Sequence, residues 1–389
     1  MTSLSDYFKW RGDLLFSQAP INEVDAMIFT QLCYLPYDDI VSRSFDDKGI
    51  TIKQYYEGYI ESRRERIKIG ALLPNQKILV LLKYAARSRR FSQVRMRAYV
   101  KDIDLEHEKQ FCAISFDIND DSTFVCFSGT DDTIVGWKEN FNMALFTPIP
   151  AQTDGVEYLN KLGADRNIYV GGHSKGGNLA IYASFMSNLE VQNKIITIYN
   201  FDGPGFKYDF LKDARKNHSL TERVINLLPE STIVGAIFDT IGKRIYIKSK
   251  VKGFQQHDLF TWYLEAPNAF VRVETLAKAS IQFHNMLEQW VADMTTEQKV
   301  QFIEAFYKLC KSNDSDTLTD IMSNKAKFAV AIFNVDEKSK KILWKTMAGS
   351  VVKGYFVGPK KKPVTITVDK NKRLQKVSAL EAEKKKPKK

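Results

Sequence analysis

The segment Ile168-Tyr-Val-Gly-Gly-His-Ser-Lys-Gly-Gly-Asn-Leu-Ala constrains this chain more than any other stretch. Within it, Gly172-His173-Ser174-Lys175-Gly176 forms a G-x-S-x-G. A strand-type run precedes the motif, and a helical segment with the small residues Gly177, Ala180 and Ala183 follows it. A serine on so tight a strand-to-helix turn has a strained backbone, and its neighbours must lack side chains, hence Gly172 and Gly176 as the elbow glycines. Its Oγ then projects above the C-terminal end of the strand. There the backbone N–H of Lys175 can donate to an oxyanion, and the helix dipole favours developing negative charge. The plainer alternative is a glycine-rich turn with a capping serine; the flanking strand and small-residue helix favour a nucleophile.

A nucleophilic serine needs a globular scaffold, and composition supplies one. The 389 residues are 44% hydrophobic and 12% aromatic, enough for one large or two ordinary domains and incompatible with wholesale disorder. The net charge of +11 is misleading, because residues 360–389 hold twelve Lys/Arg against three acids and so carry nine of those charges. The body is close to neutral, which argues against a whole-surface nucleic-acid binder. The four cysteines, Cys33, Cys112, Cys126 and Cys310, are scattered in apolar stretches without a C-x-x-C, the pattern of buried thiols in a reducing compartment, and no metal site is expected. No signal peptide is apparent at the start and no apolar run is long enough to span a bilayer, so a cytoplasmic location is expected.

Periodicity predicts mostly helix over 1–90, with Asn22 as an N-cap and a second apolar stripe from Gln76 to Tyr84. Residues 95–103 and 110–118 read as a hairpin. Strand-length runs at 123–128, 167–172, 195–201 and 244–248 alternate with helical segments at 150–163, 175–188 and 207–217, the signature of a mostly parallel α/β sheet. After Glu265 the chain reads as helical to Phe356, with a capping box at Thr295-Thr-Glu-Gln298. The expected division is therefore a domain over 1–264, a helical appendage over 265–358, and a basic, disordered tail over 359–389.

A serine of this kind needs an imidazole base oriented by a carboxylate, in the chain order Ser, acid, His. Three histidines lie downstream. His218 follows a charged stretch and His284 lies in the helical appendage, whereas His257 sits on a loop after a strand, where a catalytic histidine belongs. For the acid, Glu230 follows the apolar run Val224-Ile-Asn-Leu-Leu-Pro229 and is favoured. Asp202, in Phe201-Asp-Gly-Pro-Gly205, also ends a strand and is the alternative, although turn chemistry offers it a structural role. Thr130, in Ser128-Gly-Thr-Asp131, is placed to give a second oxyanion N–H, against the reading of an ordinary turn. Trp137 and Phe141 could line an acyl pocket or simply fill core.

Taken together, these residues resemble the class-three lipase branch of the α/β hydrolases, most closely its uncharacterised bacterial Mbeg-like relatives. The resemblance rests on Phe127-Ser-Gly-Thr-Asp131, the 172–180 segment, Tyr199-Asn-Phe-Asp-Gly-Pro-Gly-Phe206, Pro229-Glu-Ser-Thr-Ile-Val-Gly235, His257-Asp-Leu-Phe-Thr-Trp262 and the early Tyr34-Leu-Pro-Tyr37, and it spans about 20–265. It implies an α/β-hydrolase fold with a mostly parallel central sheet, a helical N-terminal segment and a C-terminal helical appendage. It also implies esterase or lipase chemistry without a cofactor, and an acid on the loop of Glu230, where many lipases carry Asp. Lys175 departs from the apolar residue usual there: a cation beside the nucleophile would favour a phosphorylated or carboxylated substrate, unless it points to solvent.

The expected activity is hydrolysis of a carboxylic ester, of a lipid or another acyl ester, through Ser174, His257 and Glu230. The alternative is a catalytically silent hydrolase-fold scaffold that engages a membrane surface or partner through its appendage and tail. The tail could attract anionic lipid headgroups, or serve only as a solvated run; it lacks interleaved aromatics, so no nucleic acid is expected. Residues 131–150 and 205–222 are candidate lids or substrate walls.

Overall fold

The computed structural model describes residues 4–68, 75–104, 109–130, 143, 147–292, 295–311 and 337. Four helices open the chain: α1 (Leu4–Arg11), α2 (Glu23–Leu32), α3 (Ile52–Lys68) and α4 (Gln76–Arg87). The cap expected at Asn22 is present. Its side-chain oxygen accepts from the N–H groups of Val24 and Asp25 at 2.9 and 3.1 Å, while Asp25 accepts from the Asn22 N–H at 3.0 Å. Every residue of α2 from Val24 to Leu32 is buried. A helix buried on every side has no solvated face, and its polar residues Asp25, Thr30 and Gln31 are buried with the apolar ones.

A nine-stranded sheet forms the centre. Its strands are β1 (Ile50–Thr51), β2 (Arg95–Asp104), β3 (Lys109–Asn119), β4 (Ser122–Phe127), β5 (Asn167–His173), β6 (Ile195–Phe201), β7 (Val224–Pro229), β8 (Lys243–Ile247) and, last in space, β11 (Arg272–Val273). The strands β1 to β4 pair antiparallel, β4 to β8 pair parallel, and β11 returns antiparallel to β8. Parallel neighbours require crossovers. The first three are made by α5 (Pro150–Leu162), by α6 (Lys175–Met186) with α7 (Leu189–Lys194), and by α8 (Tyr208–Ala214) with α9 (His218–Thr221), and the fourth by residues 230–242 with the short helical turn Val234–Ala236.

Strand alternation divides the core into two layers. On β4, Phe124 and Cys126 face the N-terminal helices, whereas Val125 and Phe127 face the crossover helices; on β6, Tyr199 and Phe201 oppose Ile198 in the same way. In the first layer Phe29 of α2 stacks against Phe116 and Phe124 at centroid distances of 5.0 and 5.1 Å. Each such fully buried ring contributes about 1.5–3 kcal/mol. Helices on both faces of a mixed sheet whose central strands β4 to β8 are parallel, with a serine elbow between β5 and α6, make this the expected α/β-hydrolase architecture.

Beyond β8 the chain departs from the helical expectation. Residues Leu264–Glu265 (β9) and Ala269–Phe270 (β10) pair across a turn at Pro267, and β11 then joins the main sheet, so the sheet continues past the expected division at 264. Two-residue strands are too short for periodicity to reveal. What holds them is burial: Phe270 is fully buried and meets Trp262 edge-on at 5.4 Å. Helices follow at α10 (Lys278–Ala292) and α11 (Thr296–Lys311). Residues 359–389, Trp137 and Phe141 lie outside the described residues. Among the described residues, no helix is long and apolar enough to cross a membrane.

Candidate active site

The register of the parallel strands determines what meets at their C-terminal ends. Gly172 lies opposite Phe127, His173 opposite Phe201, Phe201 opposite Leu227, and Pro229 opposite Ile247. The next residues of each strand therefore emerge on one edge: Ser128–Thr130 after β4, Ser174 after β5, Asp202 after β6, Glu230 after β7 and Lys248 after β8.

Ser174 has φ 58° and ψ −128°, the strained elbow conformation expected of it. A non-glycine residue held there costs on the order of 1–3 kcal/mol, sustained by the packing around it. That packing leaves no room for side chains on the flanking glycines. A Cβ on Gly172 would lie 2.2 Å from the Gly176 carbonyl, and one on Gly176 would lie 2.1 Å from the Phe127 carbonyl oxygen. Gly176→Ala is therefore expected to destabilise the fold by about 3 kcal/mol. Thermal melting checks this, and an unchanged Tm would show that the elbow does not press on β4 as described. A Cβ on Gly129 would approach Ser174 Cβ to 3.3 Å, so the 128–130 loop runs directly beside the serine.

His257 closes the short turn Gly253–His257. Its Nδ1 lies 2.7 Å from Asp202 Oδ2, and the Asp202 carboxylate is 1% exposed. A carboxylate only accepts, so Nδ1 carries a proton, and in the neutral ring Nε2 is the acceptor. Asp202 has φ 50°, and its other oxygen accepts from the Thr232 hydroxyl and from the Gly235 N–H at 3.2 Å. The His257 loop is braced in turn. Gln256 accepts from the Ser231 N–H at 2.8 Å and donates to Val251 at 2.6 Å, and the Trp262 indole donates to the Gln256 carbonyl at 2.8 Å.

The carboxylate hydrogen-bonded to His257 is thus Asp202, the alternative from sequence, and the favoured Glu230 takes a different place. The backbone N–H of Glu230 donates to Ile247, and its carbonyl accepts from Ala277 just ahead of α10. The loop after β7 does serve the imidazole, but through Thr232 and Gly235, which hold the carboxylate from the far side. The other two histidines stand apart: His218 is exposed at the start of α9, and His284 bonds the Ala236 carbonyl at 2.9 Å.

Lys175 follows neither course expected of it. Its side chain is buried, and Nζ donates to the Gln110 carbonyl on β3 at 2.6 Å, tying the elbow to the antiparallel part of the sheet. Its backbone N–H remains at the first turn of α6. Thr130 is half-buried on the loop beside the serine.

Several residues of the site went unread in the sequence. Asn178 is fully buried on α6. It donates to the Pro204 and Gly205 carbonyls at 3.1 and 3.0 Å and accepts from Gln152 at 2.8 Å, which holds the turn after Asp202. Asn200 accepts from the Gly203 N–H at 2.9 Å and donates to Asn226 at 2.9 Å. The available signal was an asparagine inside an otherwise apolar helix or strand, where a buried amide must find partners. His173 and Tyr34 are the remaining two. Burial pushes the His173 imidazole well below its ordinary value, with the neighbouring His257 adding to the effect.

With this geometry established, known proteins can be compared. The Mbeg1-like family profile matches residues 85–308, more than half of the chain. The chain belongs to the Mbeg1-like family. No curated protein matches it. Among solved structures, the M37 lipase is similar at 17% identity and a TM-score of 0.29, with 42% of this chain and 63% of that one covered. This chain thus spans less than two thirds of that lipase. The native Rhizomucor miehei lipase propeptide complex is similar at 13% identity and a TM-score of 0.33, covering 59% of this chain and 74% of that one.

Proposed function

We propose that this Mbeg1-like protein is a serine hydrolase that cleaves a carboxylic ester, of a lipid or another acyl compound, with Ser174 as nucleophile, His257 as general base and Asp202 as the orienting acid. The observation that carries the reading is the His257 Nδ1 to Asp202 bond of 2.7 Å on the sheet edge where Ser174 occupies its strained elbow. Nε2 of His257 takes the proton as Ser174 Oγ attacks the ester carbonyl. The negative charge that develops on the carbonyl oxygen is met by the backbone N–H groups of Lys175 and Thr130 and by the positive end of α6. The imidazolium then returns its proton to the departing alkoxide, leaving an acyl-serine, and water repeats the sequence to free the acid. Asp202 accepts the Nδ1 hydrogen throughout and stabilises the imidazolium.

Labelling with a fluorophosphonate probe tests the reading. Wild type is expected to be labelled, with the adduct on Ser174 by mass spectrometry. Ser174→Ala and His257→Ala are expected to abolish labelling at unchanged folding. A folded wild type that takes no label, with or without liposomes or detergent, would refute the hydrolase reading.

A further inference from the structure

The elbow residue before the serine carries the observation that goes furthest. His173 is half-buried, its Nδ1 lies 3.1 Å from the Tyr34 hydroxyl, and its Nε2 lies 2.8 Å from the backbone carbonyl of His257. The Tyr34 hydroxyl also accepts from the Gly129 N–H at 3.1 Å. Every hydrogen in this chain has one possible direction. The His257 carbonyl can only accept, so Nε2 of His173 holds the ring proton. Burial keeps the ring neutral, so Nδ1 is a lone pair and Tyr34 must donate to it. The phenol oxygen then accepts from Gly129, whose amide can only donate.

Both ends of this chain matter. Gly129 precedes Thr130 on the loop beside Ser174, and His257 carries the base, its ring 4.4 Å from that of His173. The two loops come from different strands and share no backbone ladder.

We propose that Tyr34 and His173 are positioning residues that register the loop of Thr130 against the loop of His257, so that the oxyanion donor and the base stand in fixed relation to Ser174. This rests on the hydrolase reading above. A structural role alone would be met by any ring filling the space. What an apolar ring cannot supply is the hydroxyl itself: without it Gly129 loses its acceptor and Nδ1 of His173 its donor, so the Thr130 loop is no longer tied to the imidazole that holds the His257 carbonyl. A displacement of about 1 Å at a reacting group costs on the order of 100-fold in rate.

The experiment combines labelling kinetics with NMR of the wild-type full chain and its variants, with histidine labelled in 15N. The wild type is expected to show His173 as the neutral Nε2–H tautomer. Tyr34→Phe is expected to lower the maximal fluorophosphonate labelling rate about 10- to 100-fold at an unchanged half-saturating probe concentration and with little change in Tm. His173→Gln, which keeps a donor for the His257 carbonyl, is expected to retain more rate than His173→Leu. Combining Tyr34→Phe with His173→Gln is expected to cost far less than the product of the two losses, because both break the same chain.

A labelled wild type whose Tyr34→Phe variant reacts within twofold of it overturns the relay and leaves the hydrolase reading intact. His173 observed as the Nδ1–H tautomer or as a cation overturns it regardless of labelling. A wild type with the expected tautomer that takes no label overturns both.

Discussion

Asp202→Asn is expected to lower the fluorophosphonate labelling rate about 10³- to 10⁴-fold, while Glu230→Gln leaves it within twofold. The asymmetry follows from what each group touches. Asparagine at position 202 preserves shape but offers an amide N–H or a neutral oxygen to His257 Nδ1, so the ring loses the charge that favours its imidazolium and the partner that fixes its tautomer. The bond lost is 2.7 Å long and its carboxylate is buried, where a charged acceptor is worth most. Thr232 and Gly235, which donate to the second carboxylate oxygen, would hold an asparagine oxygen in place and so turn its N–H₂ toward His257. That forces the ring to present a lone pair at Nδ1 and a proton at Nε2, the reverse of what proton abstraction needs. Glu230 contributes its backbone to Ile247 and Ala277, contacts that the substitution leaves untouched. Equal losses in the two variants, or a larger one in Glu230→Gln, would return the acid role to Glu230. Comparing the rates at one pH with matched circular dichroism separates chemistry from folding.

This distinction shows where sequence reasoning works and where it stops. The parallel strands, the hairpin before them and the elbow were legible because each is local: an apolar run of fixed period, or a glycine pair that only a tight turn requires. The placement of Ser174 on an elbow and of His257 on a loop was legible for the same reason, one from its motif and the other from the strand before it. Choosing between Asp202 and Glu230 needed the relative position of two loops that begin one after another along the same sheet edge. Each carboxylate lies one residue past its strand. The choice depends on how each turn leaves the sheet. The Asp-Gly-Pro-Gly run at 202–205, taken as a structural turn, is what holds Asp202 at φ 50° and directs its carboxylate to His257. The Tyr34 link was out of reach, because 139 residues separate it from His173 and nothing local marks either as polar partners in a buried chain.

Removing one partner of the buried pair Asp25–Arg90 is expected to destabilise the protein by about 3–5 kcal/mol, a Tm loss of roughly 10 °C, without altering the labelling chemistry of the molecules that stay folded. Both side chains are wholly inaccessible, and the guanidinium grips the carboxylate at two points, Nε to Oδ1 at 2.9 Å and Nη2 to Oδ2 at 2.6 Å. The remaining N–H groups are spent on the carbonyls of Leu14, Ala19 and Pro20, and the Tyr7 hydroxyl donates to Asp25 at 2.5 Å. Asp25→Leu leaves a guanidinium buried without its counter-charge, and Arg90→Met strands both the carboxylate and three carbonyls, so each single change is costly. The double variant removes both charges together and is expected to recover most of the loss. The pair spans the N-terminal boundary of the family match, since Arg90 lies within residues 85–308 and Asp25 on α2 precedes it. The segment ahead of the match is therefore fastened into the core of the sheet domain, and two residues past the end of α2 it delivers Tyr34 to His173. A double variant as unstable as the worse single one would show that the two charges are not coupled. A loss under 1 kcal/mol in both singles would show that water reaches the pair and that α2 is held by its apolar contacts alone.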